Sequence, residues 1–231
     1  MAYKNPNEIV LSYQDSLLRN SDVELLKGQH WLNDTIIGFY LEYLYDHLNV
    51  SDKNKILYIS PELTQLLKMT ELSQYDIFLE PINAHSKEFI FFPLNNMSKK
   101  DAAGGSHWSL LVYSKPENTY FHFDSCQGTN GSIASTFTNN LMLYFNCTND
   151  TRFIERDCPQ QDNGFDCGLY VLCFIEIISQ YILQNDIIRY CKLDIIDNYV
   201  RFKREELLLL ITSMKRKQEQ QSYGAEEIPH A

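Results

Sequence analysis

Residues 168–183 read GLYVLCFIEIISQYIL, a run broken by a single charge, Glu176. A helix that is apolar on nearly every side has to lie in the middle of a fold, so the rest of the chain must be able to surround it. The run falls short of the ~20 residues that span a bilayer, and no membrane span is expected. The N-terminus, MAYKNPNEIVLSYQDSLLRN, lacks a basic segment followed by an apolar one, so no signal peptide is expected either.

Other elements can be placed around that helix. Asn33 and Asp34 precede TIIGFYLEYLYDHL, whose apolar residues recur at helical spacing, and either residue is a natural N-cap. Residues 56–59 read as a short strand. Ser60-Pro61 then opens a second helix, with Ser as cap and Pro in the first turn. Residues 88–92 read as a strand that Pro93 stops. Residues 107–113 and 120–124 flank Ser-Lys-Pro-Glu-Asn-Thr and predict a hairpin. A helix follows over 133–145, a short strand over 152–155 and a closing amphipathic helix over 200–214. Strands and helices are segregated rather than alternating, which points to an α+β fold with a mostly antiparallel central sheet. The expected organisation is an N-terminal arm (1–9), one domain (10–214) and a polar tail that frays (215–231).

Composition narrows the function classes. Hydrophobic residues make up 44% of the 231, enough to form a core, so a disordered chain is excluded. Twenty Lys and Arg against thirty Asp and Glu give a net charge of −10, which repels a phosphate backbone and favours a partner with a basic face. Nucleic acid and membrane are therefore not expected partners. The cysteines at 126, 147, 158, 167, 173 and 191 lie in a long chain without a signal, the setting of reduced thiols in cytoplasm or nucleus. With no C-x-x-C and no His pair at i, i+4, neither a metal site nor a cofactor is expected.

Cys167 lies between Asp166 and Gly168 at the mouth of the buried helix, where the helix dipole favours thiolate, the nucleophilic form. Cys173, inside the same helix, fits the role of a small core residue. If Tyr113 faces Tyr120, paired hairpin positions sum to 233 and His107 is diagonal to Asp124. A two-residue slip would set them directly opposite. At ~5 Å or ~7–8 Å, a carboxylate can orient an imidazole as a base requires. His122 shares that face and competes with His107, but only His107 ends a loop, Gly104-Gly105-Ser106, that a substrate can approach. Gln161, six residues before Cys167, is a side-chain donor for an oxyanion, and Gln160 differs from it only in spacing. The two tryptophans, Trp31 and Trp108, could pack in the core or wall a slot narrow enough to admit only glycines.

GGSHWSLLVY, FHFDS and QQDNGFDCG, in that order, together with WLNDTIIGFYLEYL, resemble the sentrin/SUMO-specific (ubiquitin-like-protein-specific) cysteine proteases over roughly residues 10–214. IVLSYQDSLLRNSDVELL, FLEP and AAGGSHWSLLVY are most similar to the deneddylase branch, whereas the Gln-x-Asn-Gly-x-Asp-Cys spacing is nearer the desumoylases. The resemblance implies a papain-like, adenain-like fold with the nucleophile at the N-terminus of the buried helix. It implies Cys167 as nucleophile, His107 as general base and acid, Asp124 as its orienter and Gln161 in the oxyanion hole. Trp31 and Trp108 match the aromatic pair that clamps a Gly-Gly tail, and Asp34 matches an acidic position facing the modifier's basic C-terminal segment. Residues 95–105 match a loop that closes over that tail. The expected enzyme is a monomeric thiol protease that cuts after the C-terminal Gly-Gly of a ubiquitin-like modifier, foremost the neddylation modifier, in precursors and in conjugates such as neddylated cullins. The alternatives are a desumoylase, a deubiquitinase or an inactive modifier-binding module.

Overall fold

The computed structural model describes residues 5–98 and 104–226. It opens on a hairpin of β1 (Ile9–Tyr13) and β2 (Ser16–Arg19), turned at Gln14 with φ 47°. The chain then runs through α1 (Asn20–Glu24), α2 (Asp34–Asp46), α3 (Val50–Lys55), β3 (Ile56–Tyr58), α4 (Pro61–Met69) and α5 (Tyr75–Leu79). After β4 (Phe89–Asn95), β5 (Trp108–Ser114) and β6 (Thr119–Phe123) come α6 (Gly131–Tyr144), β7 (Arg152–Arg156), α7 (Cys167–Asn185) and α8 (Ile196–Glu226).

β3 to β7 form one sheet in chain order. The three central strands are antiparallel, and the edge strands β3 and β7 join in parallel. Side chains alternate between its faces. Phe89, Phe91, Leu110, Val112, Phe121 and Phe123 pack with α2, α7 and α8. Ile90, Phe92, Leu94, Leu111, Tyr113 and Tyr120 pack with residues of α4, α5 and α6. Both faces are covered, so the strands read as continuous apolar runs instead of an in–out pattern.

Three expectations need correction. Pro93 does not stop β4 but pairs with Leu110 inside it. The Phe91 carbonyl accepts from Ile59 N at 2.9 Å, so odd-numbered residues of β4 turn their backbone groups toward β3. β3 has ended before it reaches residue 93, so the missing N–H of proline removes no ladder bond. The closing helix starts at Ile196 and passes Met214 to reach Glu226, where an irregular tail was expected. Glu, Gln, Lys and Arg dominate that stretch, and all are good helix formers on a solvated face. Finally, α7 is long and apolar enough by composition to cross a membrane, yet 72% of its apolar stretch is buried against the rest of the chain.

Charge also enters this core. Lys203 of α8 is fully buried, 2.7 Å from Glu176 of α7, 2.8 Å from Glu206 and 3.2 Å from the Tyr40 hydroxyl of α2. Burial alone lowers its pKa, but the hydrogen bonds to Glu176 and Glu206 raise it further, and the ammonium stays charged. Removing it leaves Glu176 without its cation. Lys203→Ala should therefore cost about 3 kcal/mol of folding free energy in urea titration. A loss under about 0.5 kcal/mol would mean that water compensates the carboxylates.

Candidate active site

His107 immediately precedes β5 and Asp124 immediately follows β6, so both stand at one end of the sheet. Tyr113 pairs with Tyr120 and Leu110 with Phe123, the register that sums to 233. Ser109 therefore lies opposite Asp124, and His107 is on the diagonal. His107 Nε2 is 2.5 Å from Asp124 Oδ1, with both residues buried. The carboxylate also accepts from the amides of Cys126 at 3.0 Å and Asn130 at 2.9 Å. Burial works against the ionised Asp124, but these three bonds outweigh it and hold its pKa below the usual value.

Cys167 is the first residue of α7 and only 1% exposed. Its amide N–H has no partner within the helix. With Nε2 of His107 on Asp124, Nδ1 is the nitrogen left for the sulfur. Burial alone lowers the His107 pKa, but hydrogen bonds to Asp124 and Cys167, and the charges of both, push it up to about 9. The ring is therefore an imidazolium at neutral pH. The loop leading to the cysteine is fixed from several directions. Asn163 Oδ1 accepts from the amides of Phe165 and Asp166, both at 3.0 Å. Arg204 of α8 reaches Asp166 and the His30 carbonyl at 2.7 Å and the Leu25 carbonyl at 2.8 Å. A Cβ on Gly168 would stand 2.9 Å from Leu32 Cβ, so glycine lets the N-terminal segment approach the helix mouth.

A groove of about 740 Å³ has His107 and Trp108 in its lining. Trp31, Asp34, α4 residues Glu62, Gln65 and Leu66, and Met97, Gly104 and Gly105 line it. Trp31 is 48% exposed and its indole N–H donates to the Gly164 carbonyl in the cysteine loop. Trp108 is buried and donates to the Leu32 carbonyl at 2.9 Å. Asn33, not Asp34, caps α2, accepting from Ile36 N at 3.1 Å. The Asp34 side chain is thereby left at the groove wall. Gly105 has φ +88°, and a Cβ there would lie 1.8 Å from Asn95 Oδ1. Of the loop expected to cover the groove, residues 99–103 lie outside the described residues.

The two glutamines separate cleanly. Gln160 Nε2 donates to the carbonyls of Asp124 and Cys158, both at 2.9 Å, which uses both its hydrogens. Among the described residues Gln161 Nε2 donates only to Asn163 O at 2.6 Å, and its Oε1 accepts from Ser125 at 2.8 Å. One Gln161 hydrogen stays free of these bonds. His122 is held by Glu155 at 2.7 Å and Ser109 at 2.9 Å rather than by Asp124. Sequence reasoning missed Asn96, whose Oδ1 accepts from the amides of Ser106 at 2.7 Å and His107 at 3.2 Å, and it missed Asn130 and Arg204. Each acts on a residue remote in sequence, and only an asparagine's taste for turns hints at the first two.

A model of the Ulp1 protease family, C-terminal catalytic domain, matches residues 30–213. Human sentrin-specific protease 8 is 39% identical over 211 residues, covering 90% of this chain and 99% of that protein. NEDD8-specific protease 1 of Arabidopsis thaliana is 31% identical over 230 residues, covering 93% of this chain and 97% of that one. Among solved structures, the C-terminal Ulp1 protease domain in complex with Smt3, the yeast orthologue of SUMO, has the same fold. Its TM-score is 0.72 at 22% identity, with 93% of this chain and 91% of that one covered.

Two measurements test the geometry. Gly105→Ala strains a left-handed turn and drives a methyl into Asn95, one residue from the Asn96 clamp on His107. It should lower peptidase turnover by at least about tenfold while costing about 1–3 kcal/mol of stability; wild-type turnover would contradict the clamp. The raised His107 pKa contributes stability that is complete below its ordinary 6.5 and lost as pH rises through about 9. The unfolding free-energy gap between wild type and His107→Gln should therefore narrow from pH 6.5 to about 9. A flat gap would contradict the ion-pair reading.

Proposed function

Starting from the fact that the chain belongs to the Ulp1 family of cysteine proteases, we propose that it cleaves after the C-terminal Gly-Gly of a ubiquitin-like modifier, and that this modifier is NEDD8. The observation that carries the reading is the hydrogen-bonded alignment of a sulfur, an imidazole and a carboxylate, with the imidazole lining a groove that two tryptophans also line. The name of the Arabidopsis relative, matched over 93% of this chain, supports the choice of NEDD8 over SUMO.

The residues then divide the chemistry. Cys167 attacks the glycine carbonyl carbon as a thiolate. The oxyanion takes hydrogen bonds from the Cys167 amide and the free hydrogen of Gln161. As the C–N bond breaks, His107 gives its Nδ1 proton to the leaving amine, which departs as a peptide N-terminus or a lysine side chain. Neutral His107 next removes a proton from water, the hydroxide attacks the thioester, and the thiolate leaves with its imidazolium partner restored. Asp124 keeps the ring aligned throughout. Trp31 and Trp108 admit only a side-chain-free tail between them, and Asp34 receives a basic residue upstream of it. The same reading gives a monomer of one catalytic domain, at work in cytoplasm or nucleus, with neddylated cullins among its conjugates.

Cys167→Ala should bind the modifier with unchanged affinity and show no turnover. NEDD8 with a C-terminal fluorogenic amine should be cleaved faster than the SUMO and ubiquitin analogues. A preference for SUMO would reassign the substrate, and undiminished cleavage by Cys167→Ala would overturn the mechanism. For wild type, kcat/KM should fall on the alkaline side with an apparent pKa near 9, as His107 loses the proton it owes the leaving group.

A further inference from the structure

Behind the catalytic pair lies a second histidine that the chemistry above leaves unused. On the sheet face that carries His107 and Asp124, two diagonals run side by side: Asp124 to His107, and His122 to Ser109. Asn130, the residue before α6, joins them. Its side-chain Nδ2 donates to Ser109 Oγ at 2.9 Å and to the Leu94 carbonyl at 3.3 Å, while its backbone amide donates to Asp124 Oδ2 at 2.9 Å. An unbroken chain of hydrogen bonds thus links Glu155, His122, Ser109, Asn130, Asp124 and His107. Ser109, His122 and Asn130 are inaccessible to solvent, and at the far end from His107 the chain reaches it through Glu155.

Hydrogen bookkeeping gives the chain a direction. The Leu94 carbonyl can only accept, so the Asn130 amide must turn Nδ2 inward, and its second hydrogen goes to Ser109. The Ser109 oxygen is then an acceptor, and its own hydrogen points to His122 Nε2. His122 in turn carries its proton on Nδ1, facing Glu155. Glu155 abuts the same helix start: a Cβ on Gly131 would stand 2.9 Å from its Oε1. Instead of capping α6, the Asn130 side chain anchors the residue whose amide aims at Asp124. We infer that His122 and Ser109 are positioning residues of the catalytic centre, holding Asn130 so that its amide fixes Asp124 at the angle that keeps His107 on the sulfur.

The inference rests on the proposed protease activity, and its test separates the two. The ionisable groups touching this network are Cys167 and Cys158 at the catalytic end, the latter's sulfur 3.4 Å from the Asp124 carbonyl, and Glu155 at the other. Loosening Asp124 weakens the bond that keeps His107 protonated, so the alkaline limb of kcat/KM must move. With NEDD8 bearing a C-terminal fluorogenic amine as substrate, His122→Phe and Ser109→Ala should each lower kcat by about tenfold, leave KM within about twofold, and shift the limb from near 9 toward neutrality by about half a unit or more. His122→Gln keeps an acceptor for the Ser109 hydroxyl and should restore most of the rate and the limb. Should His122→Phe not fold, Ser109→Ala, a smaller change, carries the test. An alkaline limb fixed at its wild-type position in a folded variant would overturn the inference, as would a glutamine variant no better than phenylalanine. A wild-type enzyme inert toward the substrate would instead refute the proposed function.

Discussion

The 2.5 Å hydrogen bond between His107 and Asp124 is the constraint from which the site takes its form. Burial would strip both groups of charge if they stood alone, since each loses its water. Together they reverse that tendency: the carboxylate is held ionised by three donors, and the imidazole is held protonated by the carboxylate and the sulfur. A nucleophile that sits beside a cation in an almost dry place gains reactivity without leaving its shelter. The sulfur itself is nearly inaccessible, and the groove is lined by its partner His107.

The fold exists to keep that pair in place. A sheet buried on both faces cannot slip its register, because a slip of one residue would turn every phenylalanine to the wrong core. The register fixes the diagonal between residues 107 and 124, and α7, packed on the sheet, delivers Cys167 to the same end. Asparagines complete the alignment: Asn96 grips the backbone of His107, the Asn130 amide holds the Asp124 carboxylate, and Asn163 shapes the turn before the cysteine. Arg204 then ties α8 to the cysteine loop and to the segment before Trp31, so the nucleophile's loop and the chain leading into the groove share one anchor.

Much of this was legible in the sequence because it follows from local pattern. The apolar run from 168 marked α7, Ser60-Pro61 marked the start of α4, and the pairing of Tyr113 with Tyr120 was one of the two hairpin registers left open, the one the structure adopts. The choice between Asn33 and Asp34 as cap, or between Gln160 and Gln161 as free donor, could not be read, since each depends on partners far away in the chain. Pro93 misled for a related reason: whether a proline ends a strand depends on which neighbour its missing donor would have faced. The end of α8 lay beyond reach because an exposed helix and an irregular polar tail share the same composition. The asparagine clamps were invisible because no periodicity records a bond between residues 130 and 109.

The central claim is that His107 is an imidazolium locked between Asp124 and Cys167 at neutral pH. Nitrogen-15 NMR of the His107 ring, followed as pH is raised, tests it most directly. Both ring nitrogens should remain protonated through neutrality and titrate near pH 9. A ring that titrates at its ordinary 6.5, with a neutral form already dominant at pH 7.5, would contradict the account.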